Sequence, residues 1–219
     1  MEISHIKETY YFDYSSDIIQ EIVKKLDKTA GESDLDYAVK AYTFVRDFWT
    51  YYPYRFSLKK EDWKSSKIAS QKEGHCLDKS IILISILRAK NIPARLGLSR
   101  VKNHIAVAQI IEKFGSDELV PHGYVEIYLE GKWVKATPAF NKELCQKLGV
   151  HALDFDGETD AVFQEFDAKC ANSFMEYLED YGTFDEVPLE YMFKLMCDTY
   201  PLMIKKGVKM GDVLDLSML

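Results

Sequence analysis

A cysteine and a histidine, the two residue types that cooperate in thiol catalysis, each stand at the beginning of a predicted element. Cys76 follows Gly74 at the start of an apolar helix, where unpaired backbone N–H groups and the positive end of the helix dipole lower a thiol pKa. His122 precedes a predicted strand at residues 124–129, from which an imidazole can accept the thiol proton and later protonate a leaving group. The pattern predicts a nucleophile with its general base and acid. The competing interpretation makes Cys76 a small core residue.

Other polar and aromatic residues near these positions are weaker candidates. His75 adjoins Cys76, but neighbouring helical residues diverge by about 100° around the axis, so the two should not form a productive pair. His104 is better explained as the entrance of a strand. Gln71 could donate to an oxyanion together with the Cys76 N–H, although an exposed loop position is the simpler interpretation. Four aromatic residues either line an acyl-substrate cleft or serve only in packing: Tyr51, Tyr52, Tyr54 and Trp63.

The elements that must position these residues follow from hydrophobic periodicity and from helix caps. Residues 5–14 read weakly as a strand, and Ser16 and Asp17 begin a helix that runs to Leu26. A capping-box-like Ser33 begins a second helix, which is expected to end before Pro53. Residues 57–72 are predicted to be loop and short helix, before a central helix that begins near Cys76 and is apolar on nearly every side.

The second half of the chain changes from strand to helix patterns. Strands are predicted at residues 94–99, 105–111, 124–129 and 132–136, with a hairpin turn at 130–131. Helical patterns follow from residue 142, at 162–178 and at 189–204, with breaks at 181–182 and 187–188. Helices, then a sheet, then helices indicate an α+β fold. No linker or repeat divides the chain, so we expect one domain over residues 1–219, with a C-terminal helical extension over about 149–219.

Composition and charge exclude several classes of protein. The 219 residues carry 28 basic and 35 acidic side chains, a formal net charge of −7, which disfavours nucleic acid and anionic membranes as partners. The longest strongly apolar run, residues 81–87, is far too short to cross a bilayer, and the first residues show no signal peptide. The four cysteines are widely spaced, which fits reduced thiols in the cytoplasm. Cys145, Cys170 and Cys197 are expected to be core residues.

Metal and cofactor motifs are lacking in the sequence. It contains no H-E-x-x-H, no close Cys/His cluster and no D-x-D-x-D-G pattern, so we predict no metal site and no cofactor, and calcium dependence is not implied. A metal site assembled from residues distant in the sequence is left open.

Several motifs taken together resemble the transglutaminase-like superfamily. Residues 74–80 (GHCLDKS) and 87–95 (LRAKNIPAR) are similar to its G-x-C helix start and its R-A-x-G-I-P-A-R helix exit. Residues 122–128 (HGYVEIY), 131–134 (GKWV) and 137–138 (TP) are similar to its histidine strand, hairpin and W-x-x-x-D-P segment. The resemblance covers about residues 33–141. It implies a papain-like core in which a central helix packs on an antiparallel sheet, with C-terminal helices added.

The resemblance also implies residue roles. It makes Cys76 the nucleophile and His122 the general base and acid. At the third position, where the family usually has aspartate before proline, this chain has Thr137, which can accept a hydrogen bond but supplies no negative charge to stabilise an imidazolium. Asn141 is a further candidate for orienting the imidazole, and Asp154 and Asp156 are acidic substitutes ranked behind these two.

The expected activity is attack on an amide or related acyl group by Cys76, formation of a thioester, and transfer of the acyl group to an amine or to water. The sequence does not distinguish among cross-linking, deamidation, peptide hydrolysis and glycan-amide cleavage. The alternative is a catalytically inactive transglutaminase-like module that binds a peptide or protein, motivated by the missing aspartate. The expected partner is a peptide, a protein or another amide-bearing substrate, and the oligomeric state is left open.

Overall fold

A computed structural model describes residues 3–103, 111–112, 115–162 and 175–215 and shows helices packed on an antiparallel sheet, which confirms the predicted α+β fold. The helices are α1 (Asp17–Leu26), α2 (Asp34–Phe48), α3 (Ser65–Ala69), α4 (Cys76–Arg88), α5 (Lys142–Leu148), α6 (Leu189–Thr199) and α7 (Pro201–Lys205), with 3-10 turns at Ile3–Ile6 and Lys60–Trp63. The strands are β1 (Thr50–Tyr51), β2 (Arg55–Ser57), β3 (Glu73–Gly74), β4 (Ala94–Asn103), β5 (Glu118–Leu129), β6 (Lys132–Ala136), β7 (Met175–Phe184) and β8 (Val213–Asp215).

Helix α4 is central. Its residues from Ile81 to Leu87 are fully buried, as the apolar pattern on every side predicts. Helix α2 packs beside it and begins at the predicted cap, where the Ser33 hydroxyl accepts a hydrogen bond from the Asp36 N–H at 3.0 Å. Helix α2 ends at Phe48, earlier than expected, because Thr50 and Tyr51 leave the helix to pair in parallel with Glu73 and Gly74.

The main sheet has four antiparallel strands in the order β6-β5-β4-β7. Glu130 and Gly131 join β5 to β6 with φ of 49° and 85°, which confirms the predicted hairpin and its need for a left-handed turn. Strand β5 lies against α4, and its residue His122 is opposite Ser99 of β4. The predicted central helix packed on an antiparallel sheet is therefore present, and C-terminal helices α6 and α7 follow it.

Three predicted elements are wrong. Residues 5–14 form a 3-10 turn and irregular chain, since no neighbouring strand pairs with them in the described structure. Residues 175–178, predicted to be helical, begin strand β7, where pairing with β4 overrides helical periodicity. Gly182, predicted as a break, lies inside β7 beside a bulge in the register. The predicted strand at 105–111 is described only at Ile111, which is helical, while residues 163–174, His104 and Cys170 lie outside the described residues.

A fully buried lysine ties α4 to its surroundings. The Lys79 ammonium donates to the backbone carbonyls of Arg46 at 2.7 Å, Trp49 at 2.9 Å and Ala139 at 2.6 Å. Two of these carbonyls belong to the end of α2, and the third follows strand β6. One side chain therefore satisfies three buried acceptors and joins the segments that surround the start of α4.

We expect Lys79→Met to lower the free energy of unfolding by about 3 kcal/mol, because the methionine fills the space but leaves three buried carbonyls unpaired. Urea denaturation monitored by circular dichroism measures the change. Lys24→Met on the exposed side of α1 is the matched control, and it should change the free energy of unfolding by less than about 0.5 kcal/mol. Equal effects of the two substitutions would show that the buried bonds of Lys79 do not stabilise the fold.

Candidate active site

The first turn of α4 is held by a reciprocal pair of hydrogen bonds on either side of Cys76. The His75 Nδ1 accepts from the Asp78 N–H at 3.2 Å, and the Asp78 carboxylate accepts from the His75 N–H at 3.0 Å. This is a capping box with histidine at the N-cap. Because its Nδ1 is engaged as an acceptor, His75 is a capping residue and not the partner of Cys76. The expectation that His75 and Cys76 do not pair agrees with this geometry. The reason is the hydrogen bond of His75 in the helix cap, and not the angle between neighbouring helical residues.

A glycine lets the start of α4 approach strand β5 closely. The Gly123 N–H donates to the Cys76 Sγ at 3.4 Å. A Cβ built on Gly123 would lie 2.7 Å from the Leu77 Cδ2 and 3.0 Å from the Leu77 Cα. Any side chain at this position would therefore push against the backbone of α4. The residue next to His122 is thus in direct contact with the sulfur, and this contact brings the two predicted catalytic residues onto adjoining elements.

The environment of the sulfur contains two opposing effects on its pKa. Burial raises the pKa of Cys76 to about 11, although the N–H groups of Gly123, Leu77 and Cys76 itself act to lower it. The prediction that the helix terminus gives Cys76 a lowered pKa is therefore wrong for this conformation. Desolvation of a thiolate at Cys76, which is only 7% exposed, outweighs the dipole and the N–H groups.

His122 is fully buried, and neither ring nitrogen has a hydrogen-bond partner among the described residues. Burial, with a smaller effect of the nearby His75, lowers the pKa of His122 to about 3. The resting site consequently holds a neutral thiol and a neutral imidazole at neutral pH. An unpaired polar side chain this deeply buried is costly, so the imidazole is available for a hydrogen bond that none of the described residues makes with it.

Tyr177 lies beside the imidazole and was missed because residues 162–178 were predicted to be a helix. Its ring meets that of His122 edge to face, with centroids 6.0 Å apart and an interplanar angle of 85°. Its hydroxyl lies 3.4 Å from the Thr137 Oγ1, and the Ser99 hydroxyl donates to the His122 carbonyl at 3.3 Å. The hydroxyl of the buried Thr137 therefore lies within hydrogen-bond distance of the tyrosine hydroxyl and makes no hydrogen bond to the imidazole. Only the strand register of β7 places Tyr177 here, and the sequence held no signal for that register.

The remaining candidates for orienting the imidazole make other contacts. The Asn141 Oδ1 accepts from the Tyr51 N–H at 3.0 Å, so its side chain neither caps α5 nor bonds to His122. The Asp154 carboxylate pairs with Arg46 and is largely exposed, while that of Asp156 closes a turn with Glu158 and Thr159. Neither aspartate substitutes for the missing acidic group. The roles of Thr137 and Asn141 as third members of a triad stay predictions.

A pocket opens next to the sulfur. Cys76 and His75 lie in its wall together with Tyr51, Pro53 and Phe56, so Tyr51 lines a cleft as the aromatic pattern allowed. Tyr52, Trp63 and Gln71 line a second, more polar pocket on the other side of His75. Gln71 is exposed, and its backbone carbonyl accepts from the Trp49 indole at 3.0 Å. The Gln71 side-chain amide donates to the Ser70 hydroxyl at 3.4 Å, and Gln71 does not line the pocket that contains Cys76.

The structure also bears on the predictions about the other cysteines, metal sites and membrane helices, within the residues that it describes. Cys145 is buried in the core as expected, whereas Cys197 is only half-buried. Within residues 3–103, 111–112, 115–162 and 175–215, no group of three or more His, Cys, Asp or Glu side chains is arranged to hold a metal ion. None of the described helices is long and apolar enough to cross a membrane.

A thiol at the start of a buried helix, in contact with the histidine-bearing strand of an antiparallel sheet, is the arrangement of a papain-like cysteine protein. The family model of the transglutaminase-like superfamily matches residues 20–138, more than half of the chain, and the chain belongs to this superfamily. The match includes Cys76, His122 and Thr137 but ends before strand β7, so Tyr177 and helix α6 lie outside it. A comparison with curated protein sequences gives no match.

Among solved structures, the crystal structure of a "Putative Cysteine Protease from Cytophaga hutchinsonii" is similar to this chain, with a TM-score of 0.47 and 14% sequence identity. The similarity covers 83% of this chain and 53% of that chain. This chain therefore spans about half the length of that protein.

We expect Gly123→Ala to lower the free energy of unfolding by about 2 kcal/mol, because the added methyl meets the Leu77 backbone and α4 must move away from β5. Urea denaturation measures the loss, and the alkylation rate of Cys76 should change as the sulfur loses its N–H contact. Gly131→Ala is the control, since its methyl meets nothing within 4 Å and is opposed only by the positive φ. It should cost about 1 kcal/mol and leave the alkylation rate unchanged.

The buried imidazole predicts loss of stability in acid. A pKa of about 3 in the folded state lies below the ordinary histidine value of about 6.5, so the unfolded state binds the extra proton between these values. Stability from this residue is full above about pH 6.5 and falls as the pH is lowered. We expect the contribution of His122 to the free energy of unfolding to be about 3 kcal/mol smaller at pH 4 than at pH 7.

The measurement is urea denaturation at several pH values for the native chain, His122→Phe and His151→Asn, the last at an exposed histidine. The fall should be about 3 kcal/mol smaller in His122→Phe and unchanged in His151→Asn. Parallel pH dependence of all three proteins would contradict the burial of a neutral imidazole.

Proposed function

We propose that the chain is a cysteine enzyme that attacks an amide or related acyl group with Cys76 and forms a thioester, with His122 carrying the protons. The observation that carries this proposal is the contact of the Cys76 Sγ with the Gly123 N–H at the first turn of α4, directly beside His122 in β5. It is supported by membership of the transglutaminase-like superfamily over a span that includes both residues. We further propose that it acts in the cytoplasm, where its thiol stays reduced.

The neutral resting pair favours general-base attack over a preformed thiolate. As the Cys76 Sγ bonds to the acyl carbon, its proton passes to a nitrogen of His122, and the carbonyl oxygen takes up the negative charge. The backbone N–H groups of Cys76 and Leu77, which act on the sulfur in the resting site, stabilise that charge. The protonated imidazole then gives its proton to the departing amine nitrogen, which leaves the thioester on Cys76.

The second half of the cycle uses the same two residues. An amine or a water molecule attacks the thioester carbon and loses a proton to His122. When the carbon–sulfur bond breaks, that proton returns to the sulfur, and the thiol and the imidazole are both neutral again. The net result is acyl transfer when the acceptor is an amine, and hydrolysis when it is water.

An inactive binding module is the second candidate. It is favoured by the uncharged Thr137 at the position where the family usually has aspartate, and by the absence of a hydrogen bond to either His122 nitrogen among the described residues. In that case the pocket beside Cys76 holds a peptide without a covalent step.

Intact-mass spectrometry with glutamine peptides and other amides tests the proposal. We expect an adduct on Cys76 whose mass is that of the substrate minus the departing amine, lost on treatment with hydroxylamine. The pKa of His122 is about 3 and that of Cys76 is about 11, so both groups are neutral between these values. The acylation rate should therefore be nearly constant from about pH 5 to about pH 8.

Cys76→Ala should abolish the adduct, His122→Ala should slow its formation by at least about 100-fold, and Cys197→Ser, outside the pocket, should leave it unchanged. Binding of the same peptides by calorimetry without any adduct, equally in the native chain and in Cys76→Ala, would favour the inactive module. A steep fall in rate below about pH 6.5 would discard the neutral pair.

A further inference from the structure

The pocket beside Cys76 is completed by residues that the superfamily match does not include. Met196 of α6, Tyr200 directly after α6, and Leu214 of β8 lie in its wall. Leu119, Val120 and Pro121 of β5 form the neighbouring part. Part of the wall of the pocket beside Cys76 is therefore formed by the C-terminal part of the chain.

Two sets of contacts hold these C-terminal residues in place. Met196, Tyr200 and Val120 belong to a second hydrophobic cluster, against which Phe56 and Leu214 pack. Strand β8 also pairs antiparallel with β2, with Leu214 opposite Phe56, and the Leu58 N–H donates to the Asp212 carbonyl at 2.7 Å. The wall is thus part of the folded structure and is anchored on both sides of the pocket.

The chemistry of the lining is apolar. None of the described residues in the wall is an aspartate, glutamate, lysine or arginine. The Tyr200 hydroxyl accepts from the Val120 N–H and donates to the Glu118 carbonyl, both at 2.8 Å, so its polar atom is already engaged. The His75 Nδ1 is likewise engaged in the helix cap. A charged group entering this pocket would lose water without gaining a partner, whereas an apolar group would gain contacts.

We propose that this pocket is the subsite that selects an apolar, uncharged side chain next to the reacting carbonyl, and that Met196, Tyr200 and Leu214 determine this specificity. The inference rests on the proposed function, since it concerns the substrate of Cys76. It places the selection of substrate in the C-terminal segment, outside the span of the superfamily match.

Labelling with N-acetyl amino-acid chloromethyl ketones tests the inference. The Cys76 sulfur displaces chloride from the methylene carbon, a carbon–sulfur bond forms, and the thiol proton passes to His122 or to solvent. The leucine, aspartate, lysine and glycine derivatives differ only in the side chain beside the ketone. Second-order rates from intact mass should favour leucine over aspartate and over lysine by at least about tenfold.

Leu214→Lys, at a half-buried position, should raise the aspartate rate relative to the leucine rate by at least about fivefold, because it places an ammonium group at the wall. Val213→Lys on the same strand lies outside the lining and is the matched control, expected to keep the native preference. Leu214→Ala, which adds no charge, should slow the leucine derivative and not raise the aspartate rate. If the Leu214→Lys variant does not fold, Leu214→Ala still tests the contribution of Leu214 to the preference.

Two failures are distinguishable. If no derivative labels Cys76, including the small glycine compound, the proposed nucleophile and the inference are both discarded. If all four label Cys76 at similar rates, or if neither Leu214 variant changes the preference, the nucleophile stands and the apolar subsite is overturned.

Discussion

The close approach of helix α4 to strand β5 is the constraint on which the rest of the site depends. It is possible because Gly123 has no side chain, and it leaves the Gly123 N–H 3.4 Å from the sulfur of Cys76. The helix cap made by His75 and Asp78 and the three carbonyls held by Lys79 keep α4 in that position. These contacts fix the sulfur beside β5, whereas neither nitrogen of the His122 imidazole has a hydrogen-bond partner among the described residues.

Burial gives this site a different electrostatic character from a thiolate paired with an imidazolium. A cysteine and a histidine that are both removed from water remain neutral, because charging either one requires desolvating an ion without a fixed counter-charge. The position where the family usually has aspartate holds Thr137, which is engaged with Tyr177 and not with the imidazole. Because Thr137 supplies no negative charge to stabilise a protonated histidine, burial keeps the imidazole neutral.

Strand β7 and the C-terminal segment lie outside the superfamily match, yet both contribute residues to the site. Tyr177 of β7 contacts the ring of His122, and Met196, Tyr200 and Leu214 enclose the pocket beside Cys76. Both contributions come from the C-terminal region, for which the local pattern predicts mostly helix. Residues 175–178 contain apolar side chains at spacings that suit either element, and only the free edge of β4 decides that they pair as a strand. Such a long-range partner leaves no local mark in the sequence.

The sequence alone determined the elements whose patterns are local: the capped helix α2, the apolar helix α4 that begins at Cys76, and the β5–β6 hairpin with its left-handed turn. It also identified the superfamily, because the motifs around Cys76 and His122 keep their order and spacing. The tertiary structure decided what depends on distant neighbours. The pKa values of Cys76 and His122 follow from burial, and the contact of Thr137 with Tyr177 follows from the register of β7. The pocket wall depends on the pairing of β8 with β2, which places Leu214 opposite Phe56. These are sums over contacts between residues far apart in the chain, which no local pattern contains.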